Sequence, residues 1–133
     1  MDEITVRVET EINPTEAEEK VQKAVANVFG NLSIEIKPSS KGSVLHAEAN
    51  NQEALIKFRN LLRSDRIRDA ARKALFQGMR GMTIRFCLNK QVAFAGHVSF
   101  SEEVAESPLG PMRVTIEYEN PKQLINWLAS RTA

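Results

Sequence analysis

The chain has 133 residues, 42% hydrophobic and 26% charged, with net charge +1, a globular composition long enough for one domain with a real core, neither disordered nor membrane-spanning. A lone cysteine, Cys87, excludes an internal disulfide, and one thiol with two separated histidines cannot build a structural zinc site. Charge is uneven: residues 1–50 carry nine acids against five bases, residues 51–90 ten bases against three acids, and residues 91–133 five acids against three bases.

Met1-Asp2-Glu3 is acidic and runs directly into a strand pattern, so neither a secretory signal nor a transit peptide is expected. No apolar run approaches the ~20 residues that cross a bilayer, and the single thiol fits a reducing cytoplasm. Ile4, Val6, Val8 and Ile12 alternate with Arg7, Glu9 and Glu11, the period of a strand with one buried face. Asn13-Pro14 stops it. Thr15 and Glu18 then have capping-box spacing, and Ala17, Val21, Ala24, Val25 and Val28 form a helical stripe ending at Gly30.

Leu32, Ile34 and Ile36 alternate as far as Pro38; Ser39-Ser40-Lys41-Gly42 is a turn, and Val44–Ala49 is the returning strand. Asn50 or Asn51 caps a second helix with the apolar face Leu55, Ile56, Phe58, Leu61 and Leu62. Ser64 caps a third, carrying Ile67, Ala70, Ala71, Ala74 and Leu75. From Met82 two alternating strands run around a turn at Asn89-Lys90-Gln91, with Phe86, Phe94 and Phe100 pointing inward. A Ser107-Pro108-Leu109-Gly110-Pro111 loop leads to the strand Met112–Tyr118, and Asn120-Pro121 starts a final helix buried through Leu124, Ile125, Trp127 and Leu128. The expected fold is one α+β domain over residues 1–133. Its antiparallel sheet has five or six strands with helices on one face, in the order β-α-β-β-α-α-β-β-β-α.

Chemistry is sparse. His46 and His97 each fall in a predicted strand with no ligand-spaced partner, so a structural or part-exposed role fits both. Cys87 shares a face with Arg85, but pairing across the turn places it near residue 93 and away from His97. Gly78-Met79-Arg80-Gly81 lacks the lysine and helix of a phosphate loop. Glu102-Glu103 and Glu117/Glu119 read as exposed sheet acids rather than an acid–base pair. No catalytic residue, metal site or cofactor is expected, and a small-ligand enzyme would need a polar pocket bounded by Lys90, His97 and the 107–111 loop. Arg59, Arg63, Arg66, Arg68, Arg72, Lys73 and Arg80 make residues 57–80 the one basic region. It is either a solvated helix face paired through Asp65–Arg68 and Asp69–Lys73, or a phosphate-binding patch using Arg63, Arg66, Arg72, Lys73 and Lys90.

Several segments together carry a resemblance: Pro14-Thr15-Glu16, Ile67–Arg72, the run Phe86–Gly96 around Asn89, Lys90 and Gln91, the loop with Pro108, Gly110 and Pro111, and Trp127-Leu128-Ala129. The chain resembles, over its whole length, archaeal uncharacterised protein family 0201, also described as domain of unknown function 54. This chain has Asn126 and Ser130 where that family tends to have an aspartate and a proline. The resemblance implies a cytoplasmic archaeal protein with a fold similar to the 5S-rRNA-binding ribosomal protein of the large subunit, itself akin to RNA-recognition-motif domains. It implies no assigned activity. Such sheets read bases on exposed strand aromatics in a run like Lys-Gly-Phe-Gly-Phe-Val-x-Phe. Here Lys90–His97 keeps the lysine, the small residue and one phenylalanine of it, with Gln91, Val92 and His97 in place of the first glycine, the first stacking aromatic and the closing one, and the strand Ile4–Ile12 has no aromatic. Base stacking is therefore not expected. The reading is a non-enzymatic module that binds a protein, its own copy through a sheet edge or face included. Structured RNA held through its phosphates by the basic helices is the alternative.

Overall fold

The computed structural model describes residues 3–30, 32–101 and 110–131, and twelve elements form among them. They are β1 (Thr5–Ile12), α1 (Glu18–Phe29), β2 (Ser33–Ser39), β3 (Gly42–Ala49), α2 (Glu53–Ser64), α3 (Arg68–Gln77), β4 (Met79–Arg80), β5 (Thr83–Leu88), α4 (Lys90–Phe94), β6 (Phe100–Ser101), β7 (Met112–Glu117) and α5 (Pro121–Leu128). The sheet order is β2-β3-β1-β7-β5-β4, with β6 also on β5, and every pair is antiparallel. Five strands are six to eight residues long and two are two residues long, so the expected α+β class and antiparallel sheet are found.

Alternation decides which side of the sheet is dry. Val6, Val8 and Ile12 share a face with Leu45, Ala47, Ile84, Phe86, Leu88, Met112, Val114 and Ile116, and all are buried. The stripes of α1, α2, α3 and α5 close over them through Val21, Val25, Leu55, Phe58, Leu62, Leu75, Leu124 and Leu128. Each such side chain contributes about 1.5–3 kcal/mol by leaving water. Phe58 stacks on Phe86 at 5.5 Å between ring centres and so ties α2 to β5.

Several local starts differ from expectation. Helix α1 begins at Glu18 with no side-chain cap, because Asn13 and Glu16 have already closed a turn: Glu16 N–H donates to the Asn13 carbonyl, and Glu16 Oε1 accepts from Asn13 N–H and Nδ2. Neither Asn50 nor Asn51 caps α2; Gln52 holds that position without a side-chain bond. Ser64 ends α2 instead of starting α3. Between the two helices Arg66 takes φ +57, and Ile67 N–H returns to the Leu62 carbonyl, a left-handed helix stop usually given to glycine.

The largest correction is at Asn89-Lys90-Gln91. This is no hairpin turn. Asn89 caps the short helix α4, its side-chain oxygen accepting from Val92 N–H at 2.9 Å, and Asn27 Nδ2 donates to the Ala93 and Phe94 carbonyls at its other end. His97 consequently lies in a loop, Cys87 pairs with Ser101 and Arg113, and Phe94 is 38% exposed with Lys20 and Lys23 over its ring. Phe86 is buried, and Phe100 packs against it from the position opposite Leu88.

Candidate functional site

Two surfaces are candidates: the helical side rich in arginine and the uncovered face of the sheet, over which no element among the described residues packs. On the helical side, most of the cations that sequence singled out are already engaged. Arg59 lies over the Trp127 ring at 4.9 Å and donates to the Trp127 carbonyl at 2.8 Å. Arg72 bonds Asn126 Oδ1 and the Ala129 carbonyl while covering Phe76. Arg68 donates to Ser130 Oγ at 3.1 Å, and Arg80 to the Gln77 and Met79 carbonyls. Lys57 donates to the Ala26 carbonyl at the end of α1. Guanidinium groups here satisfy the carbonyl ends of neighbouring helices, where positive charge is favoured. Both positions where the chain departs from its resembled family, Asn126 and Ser130, serve as their acceptors.

Lys90 is corrected outright as a nucleic-acid contact. It is 3% exposed, and its Nζ reaches the Glu11 carbonyl at 2.7 Å and Glu16 Oε1 at 2.9 Å. Burial pushes the Glu16 carboxyl up, but the Asn13 main-chain and side-chain donors and Lys90 outweigh it and hold the group below its ordinary value. Of the five proposed phosphate contacts, Arg63, Arg66 and Lys73 are exposed and Arg72 is half-buried. Nor does Asp65 pair with Arg68. Its carboxylate accepts from Val98 N–H at 2.9 Å and lies 3.0 Å from His97 Nδ1, fastening the loop after α4 to the end of α2.

The described family-motif positions take different places in the fold. Asn89 is the α4 cap, Gln91 is exposed on that helix, and Pro111 is buried with its carbonyl accepting from Thr10 Oγ1 at 3.2 Å. Gly110 holds φ +81. Pro108, like Ser107, Leu109 and the Glu102-Glu103 pair, lies outside the described residues.

The uncovered face is built by the polar half of each alternation. Register places Glu35 opposite His46, His46 opposite Glu9, Glu9 opposite Arg113, and Arg113 opposite Cys87. A second row runs Glu48, Arg7, Thr115, Arg85. Arg7 bridges two carboxylates, Glu48 at 3.2 Å and Glu117 at 2.6 Å; the Glu117 bond and charge, foremost, raise its guanidinium pKa. Arg113 reaches Glu9 at 3.4 Å and Lys37 reaches Glu35 at 3.7 Å. Glu117 is thus occupied by Arg7, while Glu119 lies beyond the end of β7. These rows floor a cavity of about 1060 Å³ whose rims reach Ser33 and Lys37 on one side and Gln77 and Gly78 on the other. Neither Lys90 nor His97 lines it. No phenylalanine, tyrosine or tryptophan belongs to these two rows, although His46 does and Phe86 and Phe100 also line the cavity, and Lys90–Phe94, the segment nearest to an RNA-recognition run, is not a strand. Arg7, Glu9 and Glu48 were missed as a constellation, although the polar half of the β1 alternation already put Arg7 and Glu9 on one face.

Among the described residues no group of three or more histidine, cysteine or acidic side chains could hold a metal ion, and no helix is long and apolar enough to cross a membrane. A family model described as RNA binding matches residues 5–118. The UPF0201 protein of Sulfurisphaera tokodaii is 44% identical over 126 residues, spanning 95% of this chain and 87% of that protein. A solved, uncharacterised UPF0201 protein superposes with TM-score 0.80 at 33% identity, covering 96% of this chain and 94% of its own. The UPF0201 structure from Methanococcus jannaschii gives TM-score 0.83 at 31% identity, with 94% and 98% covered.

Proposed function

The chain belongs to the archaeal UPF0201 family, and from that footing we propose that it is a non-enzymatic binding module holding a protein partner against the uncovered face of its sheet. One observation carries this reading: that face is a lattice of alternating, mutually paired charges around a wide concavity, with no phenylalanine, tyrosine or tryptophan in its rows. A single strand of RNA gains about 1–3 kcal/mol per base by stacking on aromatics, and these rows offer only the His46 ring for it. Its phosphates would also meet Glu9, Glu35, Glu48 and Glu117. A polypeptide carrying both signs of charge suits the surface better, because complementary charges set register and partner choice.

Structured RNA is the second reading, favoured by the description of the family model and by the exposed Arg63, Arg66 and Lys73. It would give phosphate-dominated, strongly salt-dependent binding on the opposite side of the molecule. A photo-crosslinking residue at His46, on the sheet face, is compared with one at Lys73, on α3, in a lysate of the source cell with and without nuclease. The reading expects His46 to capture a protein whether or not nuclease is added, and the capture to fail in an Arg85→Glu/Arg113→Glu background. Capture of RNA at Lys73 with nothing at His46 would reverse the assignment.

A further inference from the structure

Among the described residues β2 is one rim of the sheet and pairs with β3 alone. Six of its seven residues are exposed and Ile36 is half-buried. A two-residue turn, Ser40-Lys41, closes the β2–β3 hairpin, so Ser39–Gly42 is a hydrogen-bonded pair, and Lys37, Glu35 and Ser33 likewise turn their main-chain groups toward β3. The main-chain groups of Ile34, Ile36 and Pro38 therefore point outward. Pro38 fits this, since a strand proline sits where its missing N–H faces away from the ladder.

We propose that this rim is covered by the same rim of a second copy of the chain, antiparallel about a two-fold axis through Ile36. The register follows from charge. Centred on Ile36, the pairing sets Glu35 against the second copy's Lys37 twice, on the uncovered face, and Ile34 against Pro38 twice, on the helix face. Moving the centre to Glu35 sets Glu35 against Glu35, and moving it to Lys37 sets Lys37 against Lys37. Registers offset by a single residue put isoleucine opposite charged side chains and on the wrong face. Ile36 exchanges two hydrogen bonds with its copy, and Ile34 N–H donates to the facing Pro38 carbonyl on each side. Pro38 has no N–H to return, so the ladder ends there.

Two features of the free edge support this occupant. Ile34 is 38% exposed on the face that elsewhere carries the core. Glu35 and Lys37 sit 3.7 Å apart, so the pairing makes an alternating cluster of four charges. A lysine and a proline on an edge discourage indiscriminate strand addition; in this arrangement they select one register and a closed, isologous dimer.

Light scattering on the parent chain at tens of micromolar is expected to give twice 14.9 kDa. Glu35→Lys and Lys37→Glu alone should each weaken association by about tenfold or more, since like charges then face each other across the strands. The double variant Glu35→Lys/Lys37→Glu should restore it. Hydrogen exchange of the Ile34 and Ile36 amides should slow as protein concentration rises. A monomeric mass at every concentration, or a dimer indifferent to the single reversals, would overturn the proposal.

Discussion

Lys90 Nζ lies 2.9 Å from Glu16 Oε1, with the two side chains only 4% and 13% exposed. The pair pins the start of α4 to the turn that precedes α1, and the Glu11 carbonyl at the end of β1 takes a further bond from the same ammonium. Removing one member of such a pair leaves a buried charge short of its partner, at a cost of about 3–5 kcal/mol. Lys90→Ala should lower the free energy of unfolding in urea by about that amount and leave any RNA retention unchanged.

Acid should loosen the same region. Burial raises both Glu16 and Asp65, but Glu16 is outweighed by Asn13 and Lys90, and Asp65 by the His97 and Val98 bonds, so both carboxyls fall below their ordinary values. As pH falls, the unfolded chain takes up these protons first. The stabilisation is therefore complete above the unfolded carboxyl value of about 4 and is lost as pH drops through the lower folded values. Urea midpoints at pH 6 and pH 3 should show the loss, and Glu16→Gln/Asp65→Asn should show a smaller one.

Asn89 tests the cap. Its side-chain oxygen accepts from Val92 N–H at 2.9 Å, so Asn89→Ala should cost about 1 kcal/mol and Asn89→Gly only a few tenths. An unfolding free energy of Asn89→Ala equal to the parent's would show that the side-chain bond is not what starts α4.

Gly78 tests a close approach. A Cβ there would collide with the Arg85 carbonyl oxygen, and Arg85 N–H already donates to the Gly78 carbonyl at 3.0 Å. Gly78→Ala forces the α3–β4 junction off β5 and should destabilise by about 2–3 kcal/mol, as overpacking of a fixed contact does. A thermal unfolding midpoint equal to the parent's would count against that geometry.

How legible these features were depends on range. Alternation along β1, β3 and β7 is local, so the dry face and the antiparallel class could be read directly. The helix stripes could be read for the same reason. Asn89-Lys90-Gln91 was misread because Val92 and Phe94 continue an apparent period of two. The signal for a helix was there in Asn89 three residues before Val92 and in Gly96 as a stop at φ +89. Likewise Asn13/Glu16 and Thr15/Glu18 offer the same spacing, and only the packed structure shows that Glu16 is drawn to Lys90. Long-range partners carry no such periodicity. Arg59, Arg68 and Arg72 look like a phosphate patch until α5 is placed beside them, and Arg7 is unremarkable until β3 and β7 bring Glu48 and Glu117 to it.

The most direct test is an amide-resolved spectrum of the protein titrated with short single-stranded RNAs of different base composition. The amides of Arg7, Arg85, Arg113 and Thr115 should stay in place, and any shifts should gather near Arg63, Arg66 and Lys73 and fade with salt. Base-dependent shifts across β1, β5 and β7 would contradict the proposed function.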